Sequence, residues 1–330
     1  MDPNLFNYAT SELSQDAFFA WLLAWADDQH SGEIHEFGKK FVQLIFERSA
    51  HKYPNSLNVT VQRQYKHMDV FCRINDTIAL IFEDKAGTVE HSNQLSRYRS
   101  NIIEEGFAPD NIIEVYCQTY NQSEYPKGCV VLSRKNLLAL FSEFWKVEEE
   151  VGSDVVRGFW RRLSDIESWH DAFRNLPVAQ EWDGLQWSGF YIKLQEHIDG
   201  AWSYVANPSG GFMGFWWHFK PAENDRIEAY LQLEQDKLCF KICIDDENAS
   251  DEERDFWKFR WNQLFCETGK DSGVVRPKVL RRGVYMTVAI FNGEYRVANQ
   301  NGCIDIQATV KRLKSMENVL DATLAHALTK

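Results

Sequence analysis

The most informative part of the sequence is HMDVFCRI (residues 67–74), NDT (75–77) and IALIFEDK (78–85). Two runs rich in β-branched and aromatic residues, joined by polar turn residues, predict an antiparallel hairpin. Because side chains alternate along a strand, Glu83 and Lys85 share one face and Asp84 points to the other. An acidic and a basic side chain therefore arrive together on the second strand.

The pairing register of this hairpin decides whether Asp69 joins them. A two-residue turn at Asn75-Asp76 would place Asp69 opposite Phe82, on the wrong face for Glu83. A register longer by one residue instead pairs Asp69 with Glu83. Only this second register collects the apolar residues on one continuous face, so we predict a three-residue turn or a bulge. The residues of that face are Val70, Cys72, Ile74, Ile78, Leu80 and Phe82.

Two carboxylates and one ammonium on a single face are suited to phosphodiester hydrolysis. Oxygen ligands of this kind suit Mg²⁺. A bound metal generates hydroxide and offsets the charge that develops on phosphoryl oxygens, and a nearby ammonium adds to that stabilisation. The same three residues are also typical of a solvated edge strand. The flanking sequence decides between the two interpretations.

Outward from the hairpin, the pattern predicts the order α, α, β, β, β, α, β, β, α over the first half of the chain. Ser14 is the expected N-cap of the first helix, and Gly106 is expected to end the third. The predicted helices are 14–28, 33–48, 90–105 and 133–145, and the strands outside the hairpin are 57–65, 111–119 and 127–133.

This ordered set resembles the PD-(D/E)XK nuclease superfamily, and within it a bacterial branch with three recurring features. The first is an E-L-S segment leading to A-W-L-L, here Glu12-Leu13-Ser14 and Ala20-Trp21-Leu22-Leu23. The second is an aspartate that opens a strand, here Asp69. The third is an E-x-K strand, Glu83-Asp84-Lys85, followed by the helix motif Gln94-Leu95-Ser96-Arg97-Tyr98. The resemblance covers roughly residues 10–140, and it departs from the pattern where Met68 precedes Asp69 in place of proline.

The resemblance implies a role for each matching residue. Asp69 and Glu83 are expected to bind Mg²⁺ or Mn²⁺, together with the backbone carbonyl of Asp84, and Lys85 is expected to position the attacking water. Gln94 is expected near the site. A helix glutamate often completes the ligand set, for which Glu12 is the first choice and Glu36 the alternative.

The implied fold is an α/β restriction-endonuclease-like core, a mixed sheet flanked by helices, followed by a C-terminal α+β domain with an antiparallel sheet. The expected division is a nuclease-like domain over 1–150, a helical Trp-rich connector over 151–204, and a regulatory or substrate-gripping domain over 205–330. In the last domain we expect helices near 250–267 and 305–328. Asn292-Gly293 predicts a type I′ hairpin turn there.

Composition limits the functional classes. The chain has a net charge of −12, and residues 1–150 hold 14 Lys/Arg and 22 Asp/Glu. This charge opposes tight non-specific binding of nucleic acid, which normally uses a basic face. It favours an alternative function, a catalytically inactive nuclease-fold module that acts as a sensor or assembly subunit.

Location and partners follow from the same sequence. Seven scattered cysteines without CxxC spacing predict free thiols in a reducing cytoplasm and no zinc site. The sequence has neither a secretory signal pattern nor a long apolar run, so no membrane association is expected. The resemblance implies a nucleic-acid substrate, DNA rather than RNA, and a role in bacterial defence against foreign DNA. It leaves a homodimer or a partner subunit open.

Overall fold

The computed structural model describes residues 3–86, 94–207 and 210–328. The chain divides into two compact units between Ser168 and Trp169. None of the helices within the described ranges combines the length and the apolar character that a bilayer crossing requires. All seven cysteines are free thiols.

The first unit contains a five-stranded mixed sheet in the order β1-β2-β3-β4-β5, with helices on both faces. Its first three strands are antiparallel, and β3, β4 and β5 are mutually parallel. The element order and the mixed sheet are those predicted from the sequence. The helices are α1 (Glu12–Trp25), α2 (Glu33–Arg48), α3 (Gln94–Glu104), α4 (Arg134–Phe144) and α5 (Asp154–Asp171), and the strands are β1 (Val59–Tyr65), β2 (Met68–Ile74), β3 (Ile78–Lys85), β4 (Ile112–Gln118) and β5 (Val130–Ser133).

The β2–β3 hairpin has the predicted register. Val70 pairs with Phe82 and Ile74 with Ile78, which leaves the three-residue turn Asn75-Asp76-Thr77. Asn75 and Asp76 both have positive φ angles, of 51° and 55°. Asn and Asp tolerate this conformation better than other non-glycine residues. The turn residues therefore set the register that brings Asp69 level with Glu83.

Two apolar clusters cover the two faces of this sheet. Val70, Cys72, Leu80 and Phe82 belong to the larger cluster, which also contains buried residues of α1, α2, α4 and α5. Phe71 and Ile81 belong to a smaller cluster with buried residues of α3. Asp69 and Glu83 lie on the same side of their strands as Phe71 and Ile81. They therefore lie at the end of the sheet face that packs against α3.

The start of α1 differs from the prediction. The helix begins at Glu12, and its N-cap is Ser11, which has the extended backbone that an N-cap requires (φ −76°, ψ 157°). Ser14 lies within the first turn, where its hydroxyl is 2.9 Å from that of Ser11. The earlier start matters because it places Glu12 on the helix. The predicted third helix is described only from Gln94 onwards, and residues 90–93 lie outside the described residues.

The second unit is built on a six-stranded antiparallel sheet in the order β10-β11-β9-β8-β7-β6. One face is covered by apolar residues of three helices, and these form a single core with the sheet. The strands are β6 (Gly200–Val205), β7 (Phe212–Ala222), β8 (Ile227–Glu234), β9 (Lys237–Cys243), β10 (Val274–Val275) and β11 (Tyr285–Phe291), and the helices are α6 (Gly184–Gln195), α7 (Asp251–Thr268) and α8 (Ile306–Ala327). The antiparallel sheet and the helices α7 and α8 match the prediction.

The segment 151–204, expected as a connector, is divided between the units. Residues such as Val156 and Phe159 pack in the core of the first unit, whereas Trp187 and Trp202 pack in the core of the second. Neither half is an independent linker, because its apolar residues are buried in a core. The division at Ser168 therefore falls inside α5 rather than near residue 150.

The prediction of a type I′ hairpin at Asn292-Gly293 is wrong. Only Gly293 has a positive φ, of 116°, whereas a type I′ turn needs two such residues. The following segment does not pair with β11. Tyr295 is fully buried and donates its hydroxyl hydrogen to the carbonyl of Gln235, and Arg296 lies over the rings of Trp182 and Trp187. Tertiary packing of these side chains replaces the hairpin.

Candidate active site

Asp69, Glu83 and Lys85 converge at the end of the β2–β3 hairpin. The Lys85 Nζ lies 2.5 Å from Glu83 Oε1. Asp69 Oδ2 accepts a hydrogen bond of 3.0 Å from the backbone N–H of Asp84, and its carboxyl group lies close enough to Glu83 to raise the pKa of that residue. The structure thus brings together the three side chains that the register predicts on one face.

Burial and mutual repulsion make the two carboxylates hard to ionise. Glu83 is 1% exposed, and this burial, with the neighbouring Asp69 charge, raises the pKa of Glu83 to about 7. Burial also raises the pKa of Asp69, against the opposing effects of the Asp84 N–H and the Lys85 charge. In the metal-free protein, the pair therefore holds a proton at a pH where exposed carboxylates have lost theirs.

The pKa of Lys85 is raised as well. Its burial alone would lower its pKa, but the hydrogen bond to Glu83 and the nearby carboxylates of Glu83, Asp69 and Glu12 together raise it. The side chain is 7% exposed. Lys85 is therefore a charged ammonium held against the carboxylates, and it is oriented by them.

Glu12 lies at this site and Glu36 does not contribute to it. Glu12 Oε1 accepts a hydrogen bond of 3.0 Å from the backbone N–H of Ala86, directly after Lys85. Its charge acts on the pKa of Asp69 and of Lys85. The side chain of Glu36, in contrast, is 64% exposed on α2 beside His35. Of the two helix acids considered, the structure brings only Glu12 to the hairpin.

Asp16 and Gln64 also belong to this group, although the sequence interpretation did not place them there. Asp16 is 1% exposed, and burial followed by the Asp69 charge raises its pKa to about 7. The Gln64 amide donates to Asp16 Oδ2 at 3.3 Å and lies close enough to Asp69 to lower the pKa of that carboxyl. The spacing of Glu12 and Asp16, one helical turn apart on α1, was the available signal.

Asp84 points to the opposite face of the sheet, as strand alternation predicts. It is fully buried, and neither carboxylate oxygen has a hydrogen-bond partner. Burial and the charges of Asp16 and Asp69 raise its pKa well above the ordinary range. Asp84 is level with Cys117 in the β3–β4 ladder. Its side chain therefore lies within the core, and its backbone N–H faces the site.

Gln94 and Tyr98 stand at the edge of the site. The Gln94 side-chain amide lies 3.4 Å from the Tyr98 hydroxyl, which donates a hydrogen bond of 2.7 Å to the His67 carbonyl. Burial raises the pKa of Tyr98, and the Glu83 charge adds to that effect. Tyr98 therefore contacts the turn that precedes Asp69, and Gln94 is connected to that turn through Tyr98. His91, which flanks the motif in sequence, lies outside the described residues.

The donor set fits a divalent metal. Glu83 Oε2 is buried and has no hydrogen-bond partner, and it lies beside the Asp69 carboxyl. In an extended strand the N–H and C=O of a residue point to the same side, so the Asp84 carbonyl faces Asp69 along with its N–H. Hard oxygen donors of this kind suit Mg²⁺ or Mn²⁺. Within the described ranges, however, no three His, Cys, Asp or Glu side chains are already arranged as a metal shell.

A family model described as the PD-(D/E)XK nuclease superfamily matches residues 3–175. The match covers more than half of the chain and includes the hairpin, α1 and α3. The chain therefore belongs to the PD-(D/E)XK nuclease superfamily, as the motif pattern indicated. Comparison with curated proteins and with solved structures gave no match.

Proposed function

We propose that this protein is a metal-dependent nuclease that hydrolyses phosphodiester bonds in DNA. The observation that supports it best is the convergence of Asp69, Glu83 and Lys85 at one end of the hairpin, in a chain of this superfamily. A structural ion pair would need only one of the two carboxylates. Keeping both beside a buried ammonium is costly for a metal-free protein, because burial raises the pKa of each acid.

Each residue has a defined task in this proposal. Asp69 and Glu83 would hold Mg²⁺ or Mn²⁺ with the carbonyl of Asp84, and Glu12 would add an oxygen from the helix side. The metal supplies a nucleophile at neutral pH and neutralises phosphoryl charge. Lys85 orients the attacking water and offsets the negative charge that develops at the scissile phosphate. Gln94 stands at the edge of the site through its contact with Tyr98.

Cleavage by this mechanism also requires the release of Lys85 from its ion pair with Glu83. In the structure the ammonium donates to Glu83 Oε1, which is one of the proposed metal ligands. A cation bound to Glu83 would share the charge of this carboxylate, which would weaken its hold on Lys85 and leave the ammonium available to water or phosphate. Metal binding and the release of Lys85 are therefore coupled in this proposal.

The superfamily resemblance extends the proposal to bacterial defence against foreign DNA. Residues 205–330 would then regulate cleavage or grip the substrate, and the chain would act as a homodimer or with a partner subunit. A plaque assay in a bacterial host, with wild-type protein and Lys85→Ala, tests the defence role. Size-exclusion chromatography with light scattering separates the assembly forms.

A second candidate is a catalytically inactive module that keeps the nuclease fold. The charge of residues 1–150, with 22 acidic against 14 basic side chains, favours it. So does the direct ion pair between Lys85 and Glu83, which occupies both groups. The intact set of Asp69, Glu83 and Lys85 opposes it, because a non-catalytic module has no use for all three.

The deciding experiment incubates the purified full chain with plasmid DNA, single-stranded DNA and RNA. Each substrate is tested with Mg²⁺, with Mn²⁺ and with EDTA, and Lys85→Ala is run in parallel. Cleavage of DNA that requires metal and disappears in the variant supports the proposal. Cleavage of RNA alone would correct the substrate. Absence of cleavage under every condition would favour the inactive module.

A further inference from the structure

The second unit carries a groove on the sheet face that its helices leave uncovered. Its volume is about 850 Å³. On β8 and β9 the residues Tyr230, Gln232 and Lys241 line it, whereas the alternate residues Leu231, Leu233 and Phe240 belong to the core on the other face. The groove is therefore the outer surface of the sheet itself, with floor residues held rigidly by strand pairing.

Aromatic rings supply most of the apolar surface of this groove. Trp216 is half-buried on β7, and Tyr230 is 4% exposed on β8. Phe219 stacks on Tyr230, with ring centres 4.8 Å apart and an interplanar angle of 15°, yet it remains 44% exposed. Tyr285 is 63% exposed on β11. Exposed rings of this size beside a concave surface are typical of a binding site.

The charges around the rings are unbalanced. Five acidic and two basic side chains line the groove. Both basic groups are already engaged: Lys241 Nζ lies 3.0 Å from Glu234 Oε1, and Arg226 forms an ion pair with Glu253. Among the residues that the structure describes, the carboxylates of Asp225, Glu228 and Asp245 have no ion pair, and all three are exposed. The groove thus offers free negative charge and no free positive charge.

We propose that this groove binds a small organic cation, an alkylated ammonium with apolar surface. A cation over a Trp or Tyr face is attracted by the ring quadrupole, and the three unpaired carboxylates add to that attraction. The volume lies within the roughly 300–1,000 Å³ of ordinary small-molecule sites. A nucleotide or another phosphate ester would find aromatic rings but no free cation for its charge. The binding requires no nuclease activity.

The test is isothermal titration calorimetry on the full chain with choline and with benzyltrimethylammonium. The uncharged isostere of choline, 3,3-dimethylbutan-1-ol, isolates the contribution of the charge, and adenosine monophosphate serves as a stacking anion. We expect one cation per chain, at least tenfold weaker binding of the isostere, and no binding of adenosine monophosphate. Failure of both cations to bind, or equal binding of the nucleotide, would overturn the proposal.

Substitutions of groove residues test whether the cation binds in this groove. Trp216→Leu removes the half-buried ring and should weaken cation binding at least tenfold. Glu228→Gln changes only an exposed side chain, so it tests the proposal even if Trp216→Leu fails to fold, and should weaken binding severalfold. Glu149→Gln, an exposed acid of the first unit, is the matched control and should bind as wild type. Unchanged binding in the double variant Glu228→Gln/Asp245→Asn would also refute the site. Cleavage assays on the same preparations keep this result separate from the nuclease proposal.

Discussion

Gln64 lies opposite Asp69 in the β1–β2 ladder and has a left-handed backbone conformation, with a φ of 53°. The flanking residues pair regularly, Arg63 with Val70 and Tyr65 with Met68, so the irregularity is confined to this position. Its side-chain amide donates to Asp16 and lies close enough to Asp69 to lower the pKa of that carboxyl. Strained backbone at a non-glycine residue often marks a functional site. Here it directs an uncharged donor towards two carboxylates that would otherwise only repel each other.

We predict that Gln64→Ala and Gln64→Gly both weaken Mg²⁺ binding by roughly 10- to 100-fold, as the loss of a group that orients a metal ligand commonly does. Glycine adopts the left-handed conformation without strain, so Gln64→Gly should keep or gain stability while it loses affinity. Calorimetric Mg²⁺ titration with urea unfolding separates the two effects. Gln62→Ala, on the exposed part of the same strand, is the control. If affinity only followed stability, the orienting role would be refuted.

Lys85→Ala should reduce cleavage by about a hundred-fold or more, because it removes a preorganised group that acts on the transition state. The carboxylates remain and lose the ammonium that competes for Glu83, so metal binding should be kept or strengthened. The measurement is the single-turnover cleavage rate at saturating metal, beside calorimetric metal affinity. Lys135→Ala, an exposed lysine of α4, should cleave at the wild-type rate. Wild-type cleavage by Lys85→Ala would refute the proposed role of this lysine.

Glu83→Gln and Asp69→Asn should weaken metal binding itself, since each exchanges a charged oxygen ligand for a neutral amide. We expect affinity to fall by at least tenfold in each variant, with cleavage partly recovered at high Mn²⁺. Titration of cleavage rate against metal concentration measures this shift. Glu36→Gln, on the exposed face of α2, should behave as wild type. A lower maximal rate at unchanged metal affinity would contradict the ligand assignment.

The sequence was sufficient to predict the hairpin, because only one register sorts its polar and apolar residues onto separate faces. Val70 opposite Phe82 and the three-residue turn both follow from that pattern. Strand parity likewise places Asp84 on the far face from Glu83. These predictions rest on alternation, which is a local property of the chain.

Long-range packing explains what the sequence did not predict. Asp16 lies near the start of α1, and only the packing of α1 on the sheet brings it to Asp69. The hairpin at Asn292-Gly293 fails because Tyr295 and Arg296 are held by residues far away in sequence. The sequence did not predict the groove of the second unit either. Its lining residues read as ordinary strands, and no pattern shows which sheet face the helices leave open.

The last prediction concerns Asp16 and the pH dependence of stability in the metal-free protein. Burial and the Asp69 charge raise the pKa of Asp16 from 3.8 to about 7 in the folded protein. Between those values the unfolded chain has lost this proton while the folded chain still holds it. The unfolded state therefore binds fewer protons, and the free energy of unfolding must fall as the pH rises through this window.

Asp16→Asn removes that titration while it keeps a side chain of the same shape. The variant and the wild type should be about equally stable near pH 4, where the wild-type carboxyl is protonated when folded. At pH 8 the variant should be more stable by on the order of 4 kcal/mol, at about 1.4 kcal/mol for each unit of pKa shift. Urea unfolding in EDTA at both pH values measures the difference, and Asp271→Asn, an exposed acid, is the control. A variant destabilised equally at both pH values would show that the Asp16 carboxylate stabilises the fold, and that its burial is not the cost inferred from its surroundings.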